Sequence, residues 1–223
     1  MYKLYYSPGA CSMAVHIVLE ELGVPYELEL VSVQGGATSH PAYLAINPKG
    51  RVPALARDGE VLTEVSALLA YLASHHADPQ LLPSSAWLAG RCHEWLSWLS
   101  SEVHPAFAQV WRPERSVETA AYRDDVKAKG LANIRARLAE IEDRLAWTDG
   151  YAVANQYTVV DPYLLVYYGW GRYVGLDMAE YPAFSRHAAL VSSREAVRRV
   201  MRQEGLPRPY GTGSGPKGAA VTA

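Results

Sequence analysis

The stretch Tyr2-Lys3-Leu4-Tyr5-Tyr6-Ser7-Pro8-Gly9-Ala10-Cys11-Ser12 constrains this chain most. Its first residues suit a pleated surface and predict a strand over 2–6. Ser7-Pro8-Gly9 breaks that strand, because Pro lacks an N–H and Gly tolerates positive φ. Ser12, a candidate N-cap, then opens a helical pattern through Met13, Val15, Ile17, Val18, Leu19 and Leu22. Cys11 therefore falls between a strand end and a helix start. The helix dipole and converging N–H groups there favour a thiolate, which makes Cys11 a candidate reactive group. A small buried apolar residue is the competing reading.

The next segments complete an α/β unit. Gly23-Val24-Pro25 stops the helix, and 26–33 alternates as a second strand. A strand, a helix and a strand this close make a βαβ unit with parallel strands. Gln34 to His40 is a Gly-rich loop, and Asn47-Pro48-Lys49-Gly50 is turn chemistry. Val52-Pro53-Ala54-Leu55-Ala56 reads as a short strand, joined by Asp58-Gly59 to Glu60-Val61-Leu62 in a hairpin. Pro53 is either a cis turn that aims backbone groups at a ligand or an ordinary edge-strand proline. Thr63-Glu64-Val65-Ser66 opens a helix carrying Leu68, Leu69, Tyr71 and Leu72. Thr63 or Ser66 caps it, or its N-terminus is an anion site with Glu64 free for an ammonium group.

Beyond a linker at 78–86 the pattern turns wholly helical. Leu88, Cys92, Trp95, Leu96, Leu99, Val103 and Phe107 recur at helical spacing, with Pro105 expected to kink the run. A second long helix is predicted over 117–147. Thr158-Val159-Val160-Asp161 is a capping-box pattern that opens an aromatic helix apolar enough for the middle of a bundle. Shorter helices follow near 183–191 and 194–203, and 207–223 has the composition of a disordered tail. Trp111, Tyr163, Tyr167 and Tyr168 line a pocket or fill the bundle core. Cys92 reads as core, and His75-His76 reads as a helix end; no third ligand suggests a metal.

Composition excludes several classes. Apolar content of 49% over 223 residues supports a sizeable core, and a net charge of −2 argues against nucleic acid. No apolar run is long enough to span a membrane, and the strand pattern starting at Tyr2 leaves no room for a leader. Two cysteines make no disulfide framework, which points to the reducing cytoplasm.

The thiol position, Asn47-Pro48-Lys49-Gly50-Arg51-Val52-Pro53-Ala54-Leu55, Leu62-Thr63-Glu64, Glu94-Trp95-Leu96 with Glu102-Val103-His104, and Thr158-Val159-Val160-Asp161 together resemble the glutathione transferase superfamily, specifically its bacterial beta class. The resemblance covers about residues 1–205. It implies a thioredoxin-like glutathione-binding domain over 1–77, an all-helical domain over 87–206, and a homodimer. It further implies a cytoplasmic detoxification enzyme joining glutathione, as co-substrate, to hydrophobic electrophiles.

The resemblance also assigns roles. Cys11 matches the class cysteine beside the glutathione sulfur, and His104 faces that sulfur from the helical domain. Val52, before the cis-proline position Pro53, offers backbone groups to the cysteinyl part. Glu64 holds the γ-glutamyl end with Val65 and Ser66, while Ser101 and Glu102 reach a glutathione in the partner subunit. The chain departs from the class in three places. Pro105 stands where a lysine follows the histidine, the loop Gln34-Gly35-Gly36-Ala37 carries no lysine, and Val65 replaces a small residue.

Cys11 has no C-x-x-C partner, so a thiol outside the chain is its natural redox partner. If Cys11 only positions the ligand, Tyr5, Tyr6, Ser12 or His104 polarises the bound thiol. The rival readings are a glutathione-dependent disulfide reductase or peroxidase, and a weakly catalytic binding module of the same fold.

Overall fold

The computed structural model describes residues 1–207, and most of the predicted tail lies outside them. The sheet has the order β2-β1-β3-β4. Its strands are β1 (Tyr2–Tyr6), β2 (Tyr26–Leu30), β3 (Ala54–Arg57) and β4 (Glu60–Thr63). The β1–β2 pair is parallel, and helix α1 (Ser12–Leu22) connects the two strands. The β1–β3 and β3–β4 pairs are antiparallel. Asp58 and Gly59 both take positive φ, 54° and 86°, which a two-residue hairpin with right-handed strand twist requires. Short helix α2 (Pro41–Leu44) precedes the hairpin and α3 (Val65–His75) follows it. This is the β-α-β, loop, β-β-α order read from the residues and the thioredoxin-like arrangement that the resemblance implied.

The remaining elements are mostly helical. They are α4 (Ala86–Trp98), α5 (His104–Trp111), α6 (Arg123–Ala146), α7 (Val160–Tyr173), α8 (Pro182–Ser192) and α9 (Glu195–Gln203). Two predictions need correction here. The run expected to be one helix with a proline kink contains a π-helical turn, Leu99–Val103, between α4 and α5. Pro105 has no N–H to donate, and the wider turn accommodates the missing bond. The His104 N–H bonds to the Leu99 carbonyl, which also accepts the Tyr167 hydroxyl at 2.9 Å. The second long helix starts at Arg123, because 113–122 is taken up by short 3₁₀ turns.

One apolar core runs through both parts of the chain, from Leu4, Ile17 and Leu68 to Leu96, Phe107, Ile134 and Leu164. Helix α7 is buried along most of its length, as its aromatic sequence predicts. Tyr163 and Tyr167 are fully buried, so they belong to the core. Gly130 lets α6 approach α5 closely: a Cβ there would lie 2.9 Å from Gln109 Cβ.

The capping box forms as its pattern requires. Asp161 Oδ2 accepts from the Thr158 N–H at 2.7 Å and pairs with its hydroxyl at 3.1 Å. Asp161 Oδ1 accepts from Ala152 N–H at 2.9 Å and meets His187 Nε2 at 2.8 Å. This fully buried carboxylate ties α7 to α8 and the preceding loop. Asp161→Ala leaves several buried donors unpaired and should cost about 3 kcal/mol. Urea denaturation checks this, and a loss below about 1 kcal/mol contradicts it.

Candidate functional site

The site begins at the loop between β1 and α1. Ser12 does not cap α1; its hydroxyl donates to the Ser7 carbonyl at 3.1 Å and accepts the Ser7 N–H at 3.2 Å. That staple closes the loop and leaves Cys11 in the N-cap position. Gly9, at φ 67°, is held from the helical part on both backbone groups. Its N–H donates to Glu204 Oε2 at 2.8 Å, and its carbonyl accepts from Trp170 Nε1 at 2.8 Å. Glu204 Oε1 reaches His16 Nδ1 on α1 at 2.8 Å, with both side chains fully buried.

Cys11 Sγ donates to the Val52 carbonyl at 3.5 Å. The Val52–Pro53 peptide is cis. The loop before it is fixed by the Arg51 carbonyl, which accepts from Tyr43 at 2.7 Å and Asn47 Nδ2 at 2.6 Å. Glu64 takes φ 73°, uncommon for a residue with a Cβ and characteristic of ligand clamps. Its carboxylate meets Lys49 Nζ at 2.6 Å. Val65 and Ser66 open α3, where N–H groups have no partner within the helix. Neither Thr63 nor Ser66 caps α3: Glu64 is its N-cap residue, and no side chain caps it. The Ser66 hydroxyl turns to the helical part, donating to the Leu96 carbonyl at 2.8 Å with Ser100 Oγ at 2.7 Å.

The thiolate expected from the helix dipole does not result. Burial pushes the Cys11 thiol up to about 12, helped by the Glu64 charge. Its own N–H, the Ser12 N–H and Arg51 pull the other way and lose. Desolvation in an apolar setting thus outweighs the dipole. His104 is neutral for the same leading reason: burial, then the Arg51 and Arg112 charges, bring it down to about 4 against Glu64. Its ring stands edge-on to Trp170 at 5.4 Å. Cys11 and His104 thus feel the same Arg51 and Glu64 charges.

Of the residues singled out from the sequence, Cys11 lies against Val52 of the cis Val52–Pro53 unit, and the Glu64 charge acts on both Cys11 and His104. Ser101 and Glu102 lie elsewhere, exposed on the π turn, and Glu102 is 3.6 Å from Arg137. Sequence reasoning gave no role to Arg51, Arg112, Trp170 or Glu204. Arg51 stood inside a quoted motif; nothing local marked Glu204, an acid buried only by tertiary packing. A separate cleft of about 310 Å³ lies between Leu88, Trp95, Arg144 and Val153. Glu94 pairs with both of its arginines, Arg91 and Arg144, and it adds nothing to the Cys11 locus. Among the described residues no acid–histidine–cysteine group is set to hold a metal, and no helix is long and apolar enough to cross a membrane.

The fold and site define a two-part architecture, a thioredoxin-like unit with a buried thiol on its first loop joined to a helical bundle, and comparison with known proteins gives the family. Residues 9–75 match the model for the glutathione S-transferase N-terminal domain. Glutathione S-transferase GstA of Escherichia coli O157:H7 is 32% identical over 92% of this chain and 99% of its own length. A glutathione transferase homologue from Sulfitobacter, solved with bound glutathione, superposes with a TM-score of 0.87. That structure is 32% identical over 93% of this chain and 99% of its own. The bacterial beta class glutathione S-transferase of Sphingomonas chungbukensis gives a TM-score of 0.81 at 32% identity, covering 92% of this chain and 100% of its own. The chain belongs to the glutathione S-transferase family.

Burial raises the Cys11 thiol above its unfolded range. The folded protein holds that proton more tightly than the unfolded chain does, so this group favours folding below its unfolded pKa of about 9 and gives that up as pH rises toward its folded value. Iodoacetamide should therefore alkylate Cys11 more slowly than free cysteine at about pH 7, with a rate still climbing at about pH 10. A rate plateau near neutral pH, read by mass spectrometry, would show a thiolate and contradict this.

Proposed function

We propose that this protein joins the glutathione thiolate to hydrophobic electrophiles, working as a cytoplasmic homodimer. The observation that carries the reading is Cys11 Sγ against the carbonyl of Val52, in a cis Val52–Pro53 unit beside the open N-terminus of α3. Val52 then pairs through its backbone with the cysteinyl part of glutathione. The N–H groups of Val65 and Ser66 take the γ-glutamyl carboxylate at the positive end of α3. Glu64 takes the ammonium group. That arrangement sets the ligand sulfur beside Cys11 and under His104.

Neutral His104 accepts a hydrogen bond from the glutathione thiol, or its proton, as the sulfur attacks. The sulfur's electron pair forms the new C–S bond, and the electrophile's leaving group, chloride in an aryl chloride, departs with the electrons of the bond it breaks. Cys11, held as a thiol, turns its one S–H from the Val52 carbonyl to the developing sulfur charge rather than attacking in its own right. A protonated Cys11 is a poor nucleophile, which favours conjugation over disulfide exchange as the main activity. Exchange remains open to the fraction that ionises: Cys11 attacks glutathione disulfide, forms a mixed disulfide and releases one glutathione thiolate. Ser101 and Glu102, exposed on the π turn, face outward to a second copy's ligand in this reading.

Calorimetric titration of glutathione, paired with conjugation of a chlorodinitrobenzene, tests the proposal. The wild type should bind at micromolar to low-millimolar concentration. Cys11→Ala should weaken binding several-fold yet keep appreciable conjugation, and His104→Ala should lower kcat by about a hundredfold. Absence of glutathione binding in both wild type and Cys11→Ala overturns the reading. Loss of all conjugation in Cys11→Ser assigns the chemistry to Cys11 as nucleophile.

A further inference from the structure

A chain of hydroxyls runs from the middle of the bundle to the start of α3. The Tyr163 hydroxyl, on α7, lies 3.3 Å from Ser100 Oγ. Ser100, on the π turn, lies 2.7 Å from Ser66 Oγ. Ser66 donates to the Leu96 carbonyl at 2.8 Å. That last bond fixes the direction of the others. A carbonyl only accepts, and a hydroxyl has one proton to give. The Ser66 proton goes to Leu96, so Ser100 donates to Ser66 and Tyr163 donates to Ser100. All three protons point toward α3.

The end of the chain is where an anion fits. Ser66 is the second residue of α3, whose first N–H groups have no partner within the helix and no side-chain cap. An anion that accepts from the Ser66 N–H also lies within reach of the Ser66 hydroxyl, because both belong to one residue. The Leu96 carbonyl does not depend on that hydroxyl, since it already accepts from the Leu99 N–H. The π turn that carries Ser100 is held independently. Tyr167, one turn along α7 from Tyr163, donates to the Leu99 carbonyl at 2.9 Å. The proton of Ser66 can therefore turn about its C–O bond while the oxygen and the turn behind it stay in place.

We propose that Ser100, backed by Tyr163, is a positioning residue for glutathione that aims the Ser66 hydroxyl at the γ-glutamyl carboxylate. The assignment rests on the transferase reading and deepens it. When that carboxylate docks on the N–H groups of Val65 and Ser66, the Ser66 proton turns from the Leu96 carbonyl to a carboxylate oxygen. Ser100 goes on donating to the Ser66 oxygen. This holds the oxygen and polarises its O–H, which makes it a better donor. A carboxylate is a stronger acceptor than a carbonyl, so the turn favours the bound ligand. A strut that only ties α3 to α4 would show no preference for that carboxylate.

Calorimetric titration and conjugation kinetics on the full chain test the assignment with two ligands. One is glutathione. The other is the tripeptide in which γ-aminobutyrate replaces the γ-glutamyl residue, so that only this carboxylate is missing. Ser100→Ala should weaken glutathione binding about fivefold and raise its KM with kcat held, and Ser100→Thr should restore most of the affinity. The carboxylate-free tripeptide should bind wild type and Ser100→Ala alike. In a Ser66→Ala background, Ser100→Ala should cost nothing further, which decides the matter if the tripeptide binds too weakly to measure. If Ser100→Ala does not fold, Tyr163→Phe takes its place, with about a twofold loss for glutathione alone. Equal glutathione affinity in wild type and variant overturns the assignment and leaves the transferase reading standing. An equal loss for both ligands, or a loss that persists without the Ser66 hydroxyl, makes Ser100 a packing strut and also overturns it. No glutathione binding by the wild type overturns both.

Discussion

Both backbone groups of Gly9 are held by the helical part of the chain, and the position of the thiol depends on that clamp. Trp170 comes from α7, in the middle of the bundle, and Glu204 follows α9 near the end of the described residues. Gly9 can meet both because it sits at φ 67°, where a side chain is strained. The second oxygen of Glu204 pairs with His16 inside α1. A carboxylate buried this completely is tolerable only while its partners stay in place, at about 3 kcal/mol for losing one. The sheet part therefore presents Cys11 correctly only when the helical part is docked, and the site is a property of both.

The chemistry that follows is one of neutral groups ringed by charges. Burial holds Cys11 as a thiol and His104 as an imidazole, so neither carries charge into the space between them. The charges lie at the margins, in Glu64 with Lys49 and in Arg51 and Arg112. A ligand with a neutral thiol in its middle and charges at its ends fits that distribution better than a uniformly apolar one. The strained φ of Glu64 belongs to the same design, since it turns a carboxylate and the open end of α3 toward one place.

Much of this was legible in the sequence because it rests on local chemistry. Ser7-Pro8-Gly9 marks a strand end, Asp58-Gly59 a hairpin and Thr158 with Asp161 a capping box; each motif acts within a few residues of itself. The resemblance supplied the overall architecture from the same motifs. What stayed hidden depends on distant packing. Helical periodicity did not separate a π turn at Leu99–Val103 from a proline kink, since a one-residue widening barely moves an apolar stripe. Ser66 looked like a cap or an anion ligand, but its hydroxyl answers to Leu96 and Ser100 on another helix. The two readings of Cys11 could not be separated from sequence, because the helix dipole is local and the desolvation that outweighs it is tertiary. Glu204 gave no signal, as nothing in its neighbourhood says that an acid will be buried.

Backbone amide hydrogen exchange at Gly9, in the wild type and in Glu204→Ala, tests the dependence of the thiol loop on the helical part most directly. The clamp predicts that the wild-type Gly9 amide exchanges as slowly as amides of α1, and that Glu204→Ala frees it by orders of magnitude while the centre of the sheet stays protected. A Gly9 amide that exchanges at the rate of an open loop in the wild type would contradict the account.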